Sequence, residues 1–188
     1  MFKSACVGLL CVAKIGMNGP ILPNAENVSI PRTKTNLRRK IDLLRPGLSN
    51  QLVNKIAAGL KNCTANENLV LSIIKIESDF VVHAKNRRSN DYGLMQVNGY
   101  HIKRLGLDAE RLLRDVDYNM QQGCLILDWF LLKYPLTEAI GRYNCGTRVG
   151  CHKWKHVRRY TEKVFTHYEK LQKVDLNFKG RGNVQNSK

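Results

Sequence analysis

The chain has 188 residues, of which 43% are hydrophobic, and a formal net charge of +16 at pH 7. This length suits one domain with a core and terminal extensions, and the composition is typical of a soluble globular protein. A transmembrane helix is excluded at this level, because no apolar run approaches the roughly 20 residues that span a bilayer.

The positive charge is concentrated at the two ends of the chain. Residues 1–62 hold ten Lys and Arg against two Asp and Glu, and residues 152–188 hold ten against three. Residues 63–151 are nearly neutral, with eleven against ten. The basic flanks are interpreted either as a solvated surface or as a means of attracting a polyanion, such as cell-wall polymer, anionic lipid headgroups or nucleic acid.

Residues 1–35 are predicted to form a leader and a linker. The apolar residues between Lys3 and Lys14 resemble the short apolar region of a signal peptide, and Cys11–Ala13 offers small residues for cleavage. An irregular leader or a misassigned start is the alternative. Prolines at positions 20, 23 and 31 favour a linker over residues 18–35.

The rest of the chain predicts a mostly α-helical α+β protein. Residues 36–62 are predicted to form a basic helical segment in which Ser49 caps a helix. Thr64 and Glu67 are predicted to form a capping box for the next helix, over 65–76. Further helices are predicted from Asp115 or Asp117 to Pro135, from Thr137 or Glu138 to Tyr143, and over 157–171. At most a short β-hairpin is expected within 84–98, and the polar residues 176–188 predict a disordered tail.

Four of the six cysteines lie outside the leader, at positions 63, 124, 145 and 151, and they allow three disulfide pairings. Cys145 and Cys151 also resemble, with His152 and His156, a set of zinc ligands. The Cys-x5-Cys spacing is unusual for zinc and favours a Cys145–Cys151 disulfide or free thiols. We therefore expect no bound metal.

Glu77 lies at the end of an apolar helical stretch. Val70, Ile73 and Ile74 precede it by seven, four and three residues, so helical spacing places Glu77 on their face. Burial beside apolar side chains disfavours the charged carboxylate and raises its pKa. A carboxyl group that is protonated near neutral pH is what a general acid needs. A solvated glutamate at a helix end is the alternative interpretation.

Three motifs occur in order, and they read ESDF at 77–80, GLMQVN at 93–98 and AIGRYNCG at 139–146. Together they resemble the lytic transglycosylase family, whose pattern is E-S-x-F/Y, G-L-M-Q and A-x-x-x-Y-N-x-G. The likeness covers residues 62–172, including an Asn-x-x-x-Gly helix in DVDYNMQQGCLIL. The GLMQVN run followed by Tyr100 and His101 is similar to the specialised members that accompany type III and type IV secretion, conjugation and pilus assembly.

The resemblance implies a lysozyme-like catalytic domain at residues 63–175 that acts on peptidoglycan. Glu77 would be the sole catalytic acid/base, which protonates the oxygen between N-acetylmuramic acid and N-acetylglucosamine and then activates the C6 hydroxyl, closing a 1,6-anhydro ring. No cofactor is expected. The implied location is the periplasm or cell envelope, or a virion, and the implied partners are glycan strands and components of a secretion, conjugation or pilus assembly.

Other site residues follow from the resemblance alone. Tyr143 matches a tyrosine whose hydroxyl holds and tunes the catalytic carboxyl. The other expected substrate-binding or cleft positions are Gly93, Met95, Gln96 and Asn144, with Ser78 beside the glutamate; core or turn packing is the alternative for each. Cys145 stands where the family usually has Ala. Ser89 is a candidate for the serine that often precedes the Gly-Leu-Met-Gln run.

The residues leave two other functions open. A lysozyme-type hydrolase needs a second carboxylate, and Asp79 and Asp91 are the local candidates, although Asp79 would point elsewhere on a helix. A basic protein that binds the wall or nucleic acid without cleaving it is favoured by the flanks RTKTNLRRK and KWKHVRR, where Trp154 could stack on a base or a sugar. No recognised nucleic-acid motif is present, so no specific nucleic acid is expected as a partner.

Overall fold

The computed structural model describes residues 34–182, with side chains described for residues 36–177. Within this range there are eight α-helices and a small antiparallel sheet, and all of it belongs to one compact unit. The elements in chain order are α1 Lys34–Leu44, α2 Asn50–Leu60, α3 Glu67–Ser78, β1 Lys85–Asn86, β2 Asp91–Tyr92, β3 Val97–Asn98, α4 Gly99–Leu105, α5 Ala109–Arg114, α6 Val116–Lys133, α7 Leu136–Cys145 and α8 Lys155–Gly182, with a 3-10 turn at Cys151–Lys153 before α8.

Helix α3 lies in the main hydrophobic core. Its residues 69–74 are all at most 3% exposed, so it is apolar around most of its circumference and must be covered on several sides. Helices α8 and α1 pack against it, while α6 packs against α2 and α7. The core therefore holds the C-terminal end of α3, where Glu77 lies, in a fixed position.

The sheet has the register expected of a tight meander. Lys85 pairs with Tyr92 across β1 and β2, and Asp91 pairs with Asn98 across β2 and β3. A second hydrophobic cluster supports this side of the molecule, formed by Val97, Leu112, Ile126, Phe130 and Ala139. The predicted mostly α-helical, lysozyme-like fold is confirmed. The segment 84–98, for which at most a short hairpin is predicted, contains three short strands instead of two.

The N-terminal caps of the helices show which helix starts are determined by residues close in the sequence. Ser49 caps α2 by accepting a hydrogen bond from the Leu52 N–H, as predicted. Of the two predicted starts of α6, Asp115 and Asp117, Asp115 is the cap, and it accepts from the Tyr118 N–H. The capping box at Thr64 is wrong, because Asn66 caps α3 through the Asn68 N–H. The Thr64 and Ala65 N–H groups instead donate to the carboxylate of Asp128 on α6.

The predicted tail is also wrong in part, because α8 continues to Gly182. Asp175 explains the extension: its carboxylate accepts hydrogen bonds from Asn36 (3.0 Å) and Asn68 (2.7 Å) and pairs with the Lys40 ammonium at 2.7 Å. These contacts fix the helix to α1 and α3 beyond its last predicted apolar residue, Leu171. The leader and linker predicted at 1–35 lies outside the described range except for residues 34 and 35, which begin α1. Residues 183–188 also lie outside that range.

The four cysteines of the described region form two disulfides, Cys63–Cys124 and Cys145–Cys151. The zinc alternative is therefore wrong, since the sulfurs of Cys145 and Cys151 are bonded to each other. Among residues 34–182, no group of three or more His, Cys, Asp or Glu side chains is arranged to hold a metal ion. None of the helices in that range has the length and apolar character needed to cross a bilayer.

Candidate active site

Glu77 occupies the last turn of α3 and faces a cavity of about 420 Å³. Helix α3 ends one residue later because Asp79 adopts a left-handed conformation with φ of 50°. The chain then turns away, which leaves the end of the helix as one wall of a cleft. The other residues that line the cavity come from the sheet region, α7 and α8: Asn86, Ser89, Asp91, Gln96, Asn98, Tyr143, Asn144 and Tyr160, with Ile76 beside Glu77.

Burial raises the pKa of the Glu77 carboxyl to about 8, because the surrounding apolar side chains deprive the charged form of hydration. A hydrogen bond from Tyr160 opposes this effect, and the charge of Asp91 adds to it. Val70, Ile73 and Ile74, on the same face of α3, are all 0% exposed. The carboxyl group is therefore protonated at neutral pH and able to donate a proton.

Tyr160 on α8 is the direct partner of Glu77. Its hydroxyl donates a hydrogen bond of 2.6 Å to Oε1 of Glu77, and the Tyr160 side chain is 8% exposed. Burial and the neighbouring Glu77 charge raise the pKa of Tyr160 well above its ordinary range. The hydroxyl therefore stays protonated and remains a donor when Glu77 loses its proton.

Tyr143 does not make the contact that the resemblance implied. Its hydroxyl donates to the Met95 carbonyl oxygen at 2.8 Å, although its side chain lines the same cavity as Glu77. Burial, with the charges of Glu77 and Asp91, raises the pKa of Tyr143 well above its ordinary range. The expected hydroxyl–carboxyl contact is thus made by Tyr160, and Tyr143 joins α7 to the Gly-Leu-Met-Gln turn.

The turn formed by Gly93, Leu94, Met95 and Gln96 is built around a buried amide. Gly93 has φ of +76°, and a Cβ there would lie 2.2 Å from both Nδ2 of Asn119 and the Leu112 carbonyl oxygen, so only glycine fits. The Asn119 amide donates to the Tyr92 and Leu112 carbonyl oxygens and accepts from the Met95 N–H. The turn therefore has its shape fixed from α6.

Of the other expected site residues, Gln96 and Asn144 line the cavity, whereas Met95 and Ser78 do not. Met95 is 0% exposed and packs in the core, which corrects its expected place along the cleft. The Ser78 hydroxyl donates to the Leu94 carbonyl oxygen at 2.7 Å and so ties the end of α3 to the turn. The Gln96 amide donates to the Ala84 and Gly93 carbonyl oxygens.

Two carboxylates near Glu77 differ in position. Asp91 on β2 lines the cavity, and its carboxylate accepts hydrogen bonds from the Ser89 hydroxyl and the Asn98 amide. Asp79 is the C-cap of α3 and pairs with Arg45 at 2.7 Å and with Lys75. Asp91 is thus the carboxylate that shares the cavity with Glu77.

The sequence interpretation missed Tyr160, Asn86 and Asn98 as residues of this site. Tyr160 lies within the helix predicted over 157–171 and is buried there. The available signal was its hydroxyl, since a buried tyrosine usually needs a hydrogen-bond partner. Asn86 and Asn98 become cavity residues only through the pairing of the three strands.

A protein-family model described as "Transglycosylase SLT domain" matches residues 54–166, which is more than half of the 188-residue chain. The chain belongs to the SLT transglycosylase family. This confirms the family that the three motifs predicted. The matched range contains Glu77, the Gly-Leu-Met-Gln turn, Tyr143 and Tyr160, so the whole cavity around Glu77 lies in the SLT domain.

Curated proteins similar to the chain also cover this domain. "Invasion protein IagB" of Salmonella typhi is 36% identical over 98 residues, which is 50% of this chain and 59% of that protein. "Protein IpgF" of Shigella flexneri is 32% identical over 111 residues, 55% of this chain and 72% of that protein. A "Peptidoglycan-binding-like protein" of Escherichia coli O157:H7 is 31% identical over 122 residues, 57% and 72% of the two chains. The match thus covers less than two thirds of the Salmonella protein.

The SLT site contains a carboxyl group that can donate a proton, Glu77, and a hydroxyl group that can stabilise the resulting carboxylate, that of Tyr160. Glu77 is neutral when protonated and becomes negative if it gives up its proton. The Tyr160 hydroxyl stabilises the negative form, because a hydrogen bond to a charged oxygen is stronger than one to a neutral oxygen. The pair can therefore both donate a proton and take one back, which is the requirement for an acid/base residue.

Proposed function

We propose that the protein is a peptidoglycan lytic transglycosylase with Glu77 as its single catalytic acid/base. The observation that supports this most directly is the Glu77 carboxyl group, with its pKa of about 8, facing a cavity and held by Tyr160. Membership of the SLT family supports the substrate, a glycan strand of alternating N-acetylmuramic acid and N-acetylglucosamine.

The proposed reaction needs no water. Glu77 donates its proton to the glycosidic oxygen, and the bond between that oxygen and C1 of N-acetylmuramic acid breaks. Positive charge develops at C1 and the ring oxygen, as in other glycoside cleavages. The deprotonated Glu77 then takes the proton of the C6 hydroxyl, whose oxygen attacks C1. The products are an N-acetylglucosamine end with a free hydroxyl and a 1,6-anhydro ring, and Glu77 is protonated again.

Gln96, Asn144 and Tyr143 are proposed to contact the substrate, since they line the cavity beside Glu77. Asn86 and Asn98 join this set, because amide side chains offer both donors and acceptors to acetamido and hydroxyl groups. Gly93, Met95 and Ser78 are proposed to act on the shape of the turn.

Hydrolysis is the second candidate, and the position of Asp91 favours it. Asp91 lies in the same cavity as Glu77, so a water molecule between the two carboxyl groups would meet a base as well as an acid. A hydrolase of this kind would release reducing ends rather than anhydro ends. The two reactions differ in the group that attacks C1, which is water in hydrolysis and the C6 hydroxyl in transglycosylation. Glu77 is the acid in both reactions.

The test is digestion of purified peptidoglycan by the wild type, Glu77→Gln and Asp91→Asn, followed by mass spectrometry of the fragments. The proposal predicts fragments lighter by one water than hydrolytic products, their loss with Glu77→Gln and their persistence with Asp91→Asn. Reducing-end fragments that disappear with Asp91→Asn would move the protein to the hydrolases. An absence of fragments from the wild type would contradict both reactions.

The basic flanks are proposed to hold the enzyme on an anionic wall while the neutral centre cleaves it. In the first flank, Arg38 bonds to Asp42 and Asn50, and Lys40 pairs with Asp175. In the second, Lys153, Lys155, Arg158 and Arg159 are exposed. Wall binding at low salt should therefore fall when the charges of 32–45 and 153–159 are removed, and unchanged binding would contradict this role.

The proposed site of action is the cell envelope, where the enzyme would open the wall locally for a secretion, conjugation or pilus assembly or for a phage. Similarity to a protein named for invasion, IagB, favours a secretion assembly. The two disulfides favour an oxidising compartment such as the periplasm. Fractionation of cells that express the full chain tests this location.

A further inference from the structure

The loop that follows α7 presents an aliphatic side chain to solvent. Val149 is 94% exposed, more than any other large hydrophobic residue of the described range. The Cys145–Cys151 disulfide closes the loop, and the Cys151 N–H donates to the Arg148 carbonyl oxygen at 3.2 Å. These two restraints hold the backbone on both sides of Val149, so the side chain stays at the tip of the loop.

A tryptophan lies beside this loop. Trp154 follows the 3-10 turn and is 38% exposed, and the guanidinium of Arg148 lies 5.4 Å from the centre of its ring. This contact joins the loop to the start of α8. Tryptophan is enriched where a membrane meets water, because its ring is largely apolar while its N–H is polar.

The charged residues of this stretch are all positive. Between Glu138 and Glu162 the sequence has no Asp or Glu. Within the described part of the chain, five exposed cations of this stretch pair with no carboxylate, namely Arg148, Lys153, Lys155, Arg158 and Arg159. Their charge is therefore available to an anionic surface.

The two apolar side chains distinguish between the anionic surfaces that these cations could meet. A hydrated wall polymer or a nucleic-acid backbone attracts the cations but removes little hydrocarbon from water. The boundary between headgroups and acyl chains of a bilayer does both, because apolar side chains enter it while Lys and Arg remain near the phosphates. Val149 and Trp154 are thus stabilised by lipid and not by the other two surfaces.

We propose that residues 147–159 form a lipid-binding patch that docks on an anionic phospholipid surface. Val149 and Trp154 enter the headgroup region, and the five cations lie against the phosphates. This goes beyond the proposed function, because docking needs no step of the reaction. Asn144 of the Glu77 cavity precedes Val149 by five residues, so chain length keeps the two Cα atoms within about 18 Å. A docked enzyme would therefore cleave glycan close to a membrane.

The first test is co-sedimentation of the full chain with vesicles of phosphatidylcholine, alone or mixed with phosphatidylglycerol. We expect binding to the mixed vesicles only. Lys153→Gln combined with Lys155→Gln should weaken it about 25-fold, since each lysine near an anionic surface contributes about 1 kcal/mol, or about fivefold. Val149→Ser should weaken it about tenfold through the loss of two methyl groups from the lipid. Absence of binding to the mixed vesicles would overturn the proposal.

Two control variants match these changes outside the patch. Lys55→Gln combined with Lys61→Gln removes the same charge from two exposed lysines at α2. Val81→Ser changes a valine that is 47% exposed in the turn after α3. Both controls should keep most of the binding, and a loss equal to that of the patch variants would overturn the proposal.

The second test uses the two tryptophans of the chain, Trp129 and Trp154, as reporters. In Trp129→Phe, the emission of Trp154 should shift to shorter wavelength when mixed vesicles are added, because the ring leaves water. In Trp154→Phe, the emission of Trp129 on α6 should not shift. A shift of Trp129 alone would place the contact on α6 and overturn the proposal.

The third test separates lipid from wall, since the proposed wall contact uses some of the same cations. Val149→Ser should bind purified wall as the wild type does while it binds mixed vesicles less tightly. If removing Lys153 and Lys155 weakens wall binding while no patch variant changes vesicle binding, the cations serve the wall alone and the proposal fails. None of the three tests measures cleavage, so their outcome is independent of the transglycosylase reaction.

Discussion

The hydroxyl of Tyr160 lies 2.6 Å from Oε1 of Glu77, although the two residues are 83 positions apart in the sequence. This contact joins α3 to α8 and places a permanent hydrogen-bond donor on a carboxyl group whose pKa is raised to about 8. Burial favours the protonated form of the Glu77 carboxyl, and the hydrogen bond from Tyr160 favours the charged form. The balance between these two effects determines the expected behaviour of the site.

Tyr160→Phe should lower the rate of glycan cleavage about 10- to 100-fold, because a hydrogen bond to a charged group contributes about 1.5–3 kcal/mol. The bond favours the charged form, so its loss should also raise the pKa of Glu77 and move the alkaline limb of the pH–rate profile to higher pH. Tyr168→Phe, on the same helix, is the matched control. A slower enzyme with an unshifted limb would mean that Tyr160 acts only through packing.

Glu77→Gln should stabilise the protein at alkaline pH. The carboxyl has a pKa of about 8 in the folded protein against a reference value of 4.5, so folding takes up a proton between these values. Wild-type stability should therefore fall as pH rises from about 4.5 to 8, because deprotonation leaves a buried charge. Glutamine removes this dependence.

Thermal melts of wild type and Glu77→Gln between pH 4 and pH 9 measure the effect. The variant's advantage should be smallest near pH 4 and grow through the interval, reaching its full size above pH 8. A difference that stays constant across this range would show that the carboxyl is not buried in solution.

Gly93→Ala should be more destabilising than Gly47→Ala. Both glycines have a left-handed φ, +76° and +82°, which costs a non-glycine residue about 1–2 kcal/mol. Only at Gly93 would the new Cβ also collide with neighbours, at 2.2 Å from Asn119 and Leu112 atoms. Overpacking of this kind costs a further ~1–3 kcal/mol. Equal losses in urea denaturation of the two variants would contradict the close packing of the turn.

The two disulfides should differ in their contribution to stability. Cys63–Cys124 links residues 61 positions apart, whereas Cys145–Cys151 links residues six apart. By the chain-entropy relation, removing the first should cost about 4 kcal/mol and removing the second about 2 kcal/mol. Denaturation of the two double Cys→Ser variants, under oxidising conditions, measures these losses. A larger loss from the shorter loop would reverse the predicted order.

Local patterns in the sequence were sufficient to predict α3 and the position of Glu77 on its apolar face. They also predicted the cap at Ser49 and offered Asp115 as one of two caps for α6, because a cap depends on residues two or three positions away. The wrong capping box has one local cause, the cap at Asn66, but both it and the wrongly predicted tail also involve distant partners. Asp128 takes the N–H groups near Thr64, and Asp175 extends α8 through contacts with Asn36, Asn68 and Lys40.

In the candidate active site, too, local patterns predicted individual residues but not their contacts with residues distant in the sequence. The motifs indicated Glu77 and the turn at Gly93, but they assigned the contact with the carboxyl to Tyr143. Which tyrosine reaches Glu77 depends on how α7 and α8 pack against α3 and the turn, and no local periodicity contains this information. Asn119 was predicted in part. Its place in the Asn-x-x-x-Gly likeness was visible in the sequence, whereas its hydrogen bonds with Met95 of the turn, Tyr92 and Leu112 were not.

The measurement that tests this account most directly is the titration of the Glu77 carboxyl carbon by NMR, with the resonance assigned by its absence in Glu77→Gln. The account predicts an apparent pKa of about 8, so that the group is protonated at neutral pH and can act as the acid. A pKa near 4.5, with the carboxylate charged at neutral pH, would contradict the proposed role of Glu77 as proton donor.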